Sequence, residues 1–189
     1  SEQGLFDFHD VVRGISAKMI RRHPHVFADT QVTDEQAQKQ AWEAIKQQER
    51  AGQNPGAGFF AGIPQTIPAL RRSQKLQQRA ARVGFDWENW QQVIPKVHEE
   101  LCEVQDAVAQ QESAARIEEE VGDVLMGVTN LARLLGVDAE NALRVANRKF
   151  EQRFLRVEAL LQAQGVSLEA ATLAQMEAAW GQAKVEEKR

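Results

Sequence analysis

An all-α protein is predicted by two observations: strand signals are nearly absent, and helical ones run through most of the chain. The 189 residues include no Tyr, and no stretch alternates apolar with polar residues at period two between turn residues. Apolar residues recur instead at three- and four-residue intervals, bounded by residues that start or stop helices. The apolar and charged fractions, 43% and 26%, are those of an ordinary folded domain rather than of a disordered chain.

Leu5 to His23 has helical spacing and stops before Pro24, because a residue preceding proline is steered away from the helical region. A second helix is predicted from Thr33, where Thr33 and Gln36 can form a capping box, through Trp42 and Ile45 to about Arg50. Ala51 to Thr66 is rich in Gly and Pro and is expected to be a linker. Pro68 suits the first turn of a helix running to about Val83, with Gly84 as its stop. Further helices are predicted at 94–110, 113–135, 139–164 and 169–185, with Pro95 in a first turn, Gly136 as a stop and Asp138 as an N-cap.

Charge and composition narrow the function classes. A net charge of −4 offers no whole-molecule attraction for nucleic acid or anionic lipid, so a polyanionic substrate must be met by local cations or metal. No apolar run reaches membrane-spanning length, no signal peptide is visible, and the single Cys102 excludes an internal disulfide and is expected to fill core. The cytoplasm is the expected location.

The strongest chemical signal is one pattern written on two consecutive helices. Val97, Leu101, Val104 and Val108 form an apolar stripe, and Ile117, Val121, Val124 and Val128 repeat it at identical spacing. Both are expected to be core. On the flank of each lies an acid pair three residues apart, Glu100 with Glu103 and then Glu120 with Asp123. If the helices pack antiparallel through their stripes, the pairs face each other. Four carboxylates at one partly buried spot repel unless a cation lies between them. A hard divalent ion with oxygen ligands meets that need, Mg²⁺ by default with Mn²⁺ as a substitute. Iron bundles normally use Glu-x-x-His, and none of the four histidines has Glu three residues before it.

Lys149 and Arg153 lie one turn apart and reach phosphate if their helix packs beside the acids; Lys96, four residues before Glu100, suits an ion pair or a phosphate contact. Arg71, Arg72, Lys75, Arg79 and Arg82 make a basic stripe expected to be a solvated face, with docking of an anionic partner as the alternative. Trp87 and Trp180 are either core or platforms for a base. An echo links ISAKMIRRH at 15–23 with ANRKFEQRF at 146–154.

KVHEELCEVQDAV and IEEEVGDVLMGVTNLARLLGVDAENALRVANRKFEQRF resemble the MazG nucleotide pyrophosphohydrolase signature, E-x-x-E, a spacer, E-x-x-D and an Asn-x-Lys-Phe segment. RRHPHVF and LRRSQKLQQRAARVGFDW are similar to stretches of the two-domain MazG proteins. The resemblance implies a four-helix-bundle-like, dimeric fold and Mg²⁺-dependent hydrolysis of nucleoside triphosphates to monophosphate and pyrophosphate. It implies that Glu100, Glu103, Glu120 and Asp123 hold the metal and do the catalysis, and that Lys96, Glu99, Arg116, Glu119, Asn147, Lys149, Arg153 and Trp180 bind substrate. It also implies that residues 1–50 are the tail of a first copy, 51–66 a linker and 67–189 a complete catalytic domain. The competing class is an inactive MazG-like dimer that senses nucleotides or binds a protein.

Overall fold

The computed structural model describes residues 5–27, Trp42, Ile45 and 58–187, and every regular element among them is helical. The chain divides into two compact units, Ser1–Gly62 and Ile63–Arg189. None of the described helices is long and apolar enough to cross a membrane.

In the first unit, α1 (Phe8–Arg22) begins three residues later than its apolar spacing predicts. The reason is a capping box: the Asp7 carboxylate accepts from the Asp10 backbone N–H at 2.8 Å, and the Asp10 carboxylate accepts from that of Asp7 at 3.0 Å. None of its residues is buried. A single turn, α2 (Pro24–Phe27), follows. The helix predicted at 33–50 lies outside the described residues apart from Trp42 and Ile45, both helical.

The second unit contains α3 (Ala69–Ala81), a 3-10 turn (Trp90–Gln92), α4 (Val93–Ala109), α5 (Ala114–Leu134), α6 (Ala139–Ala163) and α7 (Leu173–Glu186). Helix α4 packs on α5, α6 packs on α7, and α3 lies against α5 and α6. The α4–α5 connection is a tight turn in which Gln111 takes φ 55°, and Ser113 caps α5 by accepting from the Arg116 N–H at 3.2 Å. Such a short link makes the pair an antiparallel hairpin. The two helices approach closely at Gly127, where an added Cβ would stand 3.1 Å from Val97 Cγ2.

Two devices join the remaining helices. Val157, Leu160 and Leu161 of α6 bury themselves with Ala179 of α7, and Leu168, Met176 and Trp180 pack around them. Each such aliphatic side chain contributes on the order of 1.5–3 kcal/mol relative to exposure. The buried Gln74 of α3 clamps the α5–α6 turn: its Nε2 donates to Val137 O at 2.7 Å and its Oε1 accepts from the Ala139 N–H at 3.2 Å. One side chain thus satisfies two backbone groups that the turn would otherwise leave open.

Several expectations need correction. Helix α7 starts at Leu173, not 169, because Thr172 and Gln175 form a capping box and the preceding residues turn. The duplicated apolar stripes are only half covered: Val97, Val104, Ile117 and Val124 are partly buried, whereas Leu101, Val108, Val121 and Val128 are exposed. A two-helix contact covers only the inward half of each stripe, and no other described element lies over the rest. Cys102 shares that outer side and is exposed rather than core. Within the basic stripe Arg79 is buried, since α3 packs against α5, so the stripe is not a wholly solvated face.

Candidate active site

The antiparallel hairpin brings the two acid motifs together. Ligand oxygens of Glu100, Glu120 and Asp123 all lie within 4.8 Å of one another, with both glutamates buried. Glu100 faces Asp123 and Glu103 faces Glu120, in the same register that sets Val97 against Gly127. Glu100 and Glu120 lie deeper than the flank position that helical angles suggest, whereas Glu103 and Asp123 are half-buried. Glu103 stands beside this trio rather than in it. Its carboxyl is held above the ordinary value first by a hydrogen bond with Glu100, then by burial and by the negative charges of Glu100 and Glu120.

Each half of the site carries its own cation. Lys96 Nζ lies 2.9 Å from Glu100 Oε1 and 3.0 Å from Glu99 Oε1. Arg116 donates to Glu119 at 2.8 Å and pairs with the buried Glu120. The hydrogen bond to Glu100 is the main cause that raises the Lys96 pKa, and the one to Glu119 raises that of Arg116. Advancing Lys96, Glu99, Glu100 and Glu103 by 20 positions gives Arg116, Glu119, Glu120 and Asp123, so two equivalent segments face each other across the hairpin.

Of the other expected residues, Asn147 and Lys149 are exposed on α6. Arg153 Nε donates to Glu187 Oε1 at 2.7 Å and its guanidinium lies 5.5 Å from the Trp180 ring centre; Trp180 also packs on Phe150 at 5.4 Å. Helix α6 buries Val157, Leu160 and Leu161 against α7, and this packing groups Arg153 and Trp180 with α7. Sequence reasoning had no means of pairing Arg153 with Glu187, 34 residues away.

A cavity of about 570 Å³ adjoins the acids, with Lys96, Glu100 and Asp123 in its wall. Trp87 lines it, as do Phe85, Asp86, Met126, Asn130 and Arg133. Arg133 makes a two-pronged ion pair with Asp86, one arm at 3.1 Å, and its Nε donates to Asn130 Oδ1 at 2.9 Å. Only Trp87 of this group stands out in the sequence; the Asp86–Arg133 link spans 47 positions and leaves no local trace.

The model of the MazG nucleotide pyrophosphohydrolase domain matches residues 1–27 and 88–157, more than half of the chain and the whole acid hairpin. The chain belongs to the MazG family. This MazG chain is 46% identical to the nucleoside triphosphate pyrophosphohydrolase of Escherichia coli, over 98% of its own length and 71% of that relative. It is 40% identical to the nucleoside triphosphate pyrophosphohydrolase/pyrophosphatase MazG of Thermotoga maritima, over 97% of its length and 68% of the relative. A Bacillus subtilis protein described as uncharacterized, YabN, is 39% identical, over the full chain and 38% of its own length.

The residues present fit a divalent cation. Three hard oxygen donors converge, two on buried side chains, and such a set is balanced by a hard ion that completes its shell with water and phosphate oxygens. The nearby Lys96 and Arg116 offset part of the negative charge and leave a surplus at the centre.

Proposed function

We propose that this MazG chain hydrolyses nucleoside triphosphates to nucleoside monophosphate and pyrophosphate in a Mg²⁺-dependent reaction, with Mn²⁺ able to substitute. The observation that carries the reading is the convergence of Glu100, Glu120 and Asp123 on one point of the α4–α5 hairpin. The names of the Escherichia coli and Thermotoga maritima relatives support the substrate class.

Glu100, Glu120 and Asp123, with Glu103 beside them, hold the cation. A bound Mg²⁺ supplies charge to the phosphate oxygens and acidifies the attacking water. Lys96 and Arg116 then meet phosphate oxygens by exchanging one of their glutamate partners, with Glu99 and Glu119 keeping each cation in place. Asn147, Lys149, Arg153 and Trp180 form a second substrate-binding group on α6 and α7. The exposed Leu101, Val108, Val121 and Val128 are covered by a second copy of the chain, since uncovered apolar surface of this kind marks an interface. Residues 67–189 carry the chemistry, and 1–50 correspond to the tail of a preceding copy, in line with the echo between 15–23 and 146–154.

The test is product analysis on a panel of NTPs and dNTPs with and without Mg²⁺. Monophosphate with pyrophosphate, released only in the presence of the ion, is the expected result. Diphosphate with orthophosphate would mean attack at the γ phosphorus, and no turnover of any nucleotide would favour the sensing module.

A further inference from the structure

Helix α7 ends on two adjacent carboxylates, Glu186 and Glu187, with Lys184 as the basic residue of its last turn. Negative charge at a helix C-terminus opposes the helix dipole, so the two acids cost stability unless cations meet them. Helix α6 supplies Arg153 and Arg156, three residues apart and both paired with the end of α7.

The two ion pairs differ in geometry. Arg156 closes on Glu186 with one whole edge of its guanidinium, Nε donating to Oε2 at 2.6 Å and Nη2 to Oε1 at 3.1 Å. Arg153 donates to Glu187 through Nε alone, at 2.7 Å, and among the described residues nothing accepts from its Nη1 or Nη2. Its guanidinium lies over the Trp180 ring, which packs in turn on Phe150. Tied at one nitrogen, laid on an aromatic face and with its side chain only 17% exposed, the group has few orientations left. The edge that stays open, Nη1 with Nη2, is one that can grip two oxygens of a phosphate. Lys149, one turn back on α6, and Lys184 stand close enough for their charges to act on the Glu187 carboxylate, so one acid sits among three cations and positive charge is left over. A pair built only to fasten α7 would close as Arg156 does. An arginine anchored by Nε with its outer edge open is set for a second anion.

We infer that Glu187 is a positioning residue for the substrate contact of Arg153: it anchors Nε so that Nη1 and Nη2 form an open fork, with Lys149 nearby, for two oxygens of one phosphate group. The inference rests on the assignment of Lys149, Arg153 and Trp180 to the substrate above. Removing Glu187 has two opposed effects. Loss of its charge favours an anion, whereas loss of the anchor frees the guanidinium to turn. The second outweighs the first, because partly exposed charges are screened by solvent, while a fork that turns away loses both of its hydrogen bonds at once.

The experiment uses the full chain, with calorimetric binding of inorganic triphosphate in EDTA and, with Mg²⁺, kcat and KM for ATP. Glu187→Ala is expected to weaken triphosphate binding about tenfold and to raise KM by a similar factor, while kcat stays within about twofold. Glu187→Gln removes the charge but keeps an acceptor for Nε, and is expected to bind within about threefold of wild type. Glu186→Ala breaks the closed pair instead; it is expected to lower the unfolding midpoint as much as Glu187→Ala does, without changing triphosphate binding or KM. Wild-type or tighter binding in Glu187→Ala would show that the carboxylate does not aim the fork, and equal losses in Glu186→Ala and Glu187→Ala would reduce it to a fastening of α7. Either result overturns the inference. Arg153→Gln separates the underlying reading. Triphosphate binding that survives this change means that α6 and α7 do not hold the substrate, and the positioning role falls with that assignment; binding that depends on Arg153 but not on Glu187 overturns the positioning role alone. Binding that depends on both residues, in a wild type that does not turn over ATP, supports the positioning role and overturns the hydrolase reading.

Discussion

Lys96 holds Glu100 at 2.9 Å from one turn upstream on the same helix, and Glu100 is buried while Lys96 reaches solvent. The buried carboxylate thereby has a cationic partner at the point where it meets Asp123 of the facing helix. Arg116 repeats the arrangement for Glu120.

Mg²⁺ should stabilise the folded protein through this cluster. At about 100 times its Kd the ion adds roughly 2.7 kcal/mol, visible as a rise of several degrees in the unfolding midpoint. Asp123→Asn should lose most of that rise and on the order of 10²–10³ in turnover, the range for deleting one charge-stabilising group. An undiminished Mg²⁺ response in this variant would remove Asp123 from the ligand set.

Gln74→Leu should destabilise the protein by about 1–3 kcal/mol, because Val137 O and the Ala139 N–H lose their partner in a partly buried turn. Chemical denaturation with unchanged m-value measures it. A loss well under 0.5 kcal/mol would show that water replaces the amide at no cost.

Glu187 has its pKa lowered, first by the hydrogen bond from Arg153. A carboxylate depressed in the folded state contributes stability that is complete at neutral pH. That contribution disappears as pH falls below the ordinary value of 4.5 and through the lowered folded one. Glu187→Gln should flatten this acid limb of the stability curve while changing little near pH 7, because the pair is partly exposed. Identical acid limbs in the two proteins would deny the link.

Leu101→Lys combined with Val128→Lys should convert a dimer into a monomer in sedimentation velocity, since both side chains lie on the uncovered half of the hairpin stripe. A wild-type chain that sediments as a monomer at micromolar concentration would leave that surface without the expected partner.

How far the sequence led depends on the range of each interaction. The acid hairpin was legible because its spacing is local: E-x-x-E and E-x-x-D fix angular positions on a helix, and two short-linked helices have few ways to pack. Helix ends followed caps where a cap is a short-range pattern, and the late start of α7 was missed because Thr172 and Gln175 were outweighed by apolar spacing that began earlier. The fate of the stripes was not legible, since periodicity marks a face as apolar without saying how much of it another helix covers. The Gln74 clamp and the Asp86–Arg133–Asn130 chain join residues far apart in sequence through ordinary polar side chains, and nothing local distinguishes them from surface residues.

The equivalence of the two hairpin segments has a consequence for direction. A linear polyphosphate reads alike from either end, and a pair of facing, like-patterned motifs would accept it both ways round. Symmetry ends where the cavity begins: Lys96, Glu100 and Asp123 line it, whereas Glu103, Arg116 and Glu120 do not. Under the proposed reaction, an elongated molecule lying across the acids would have a head and a tail imposed on it by the surroundings, and a pocket that touches neither would decide which of two chemically similar anhydride bonds lies at the carboxylates.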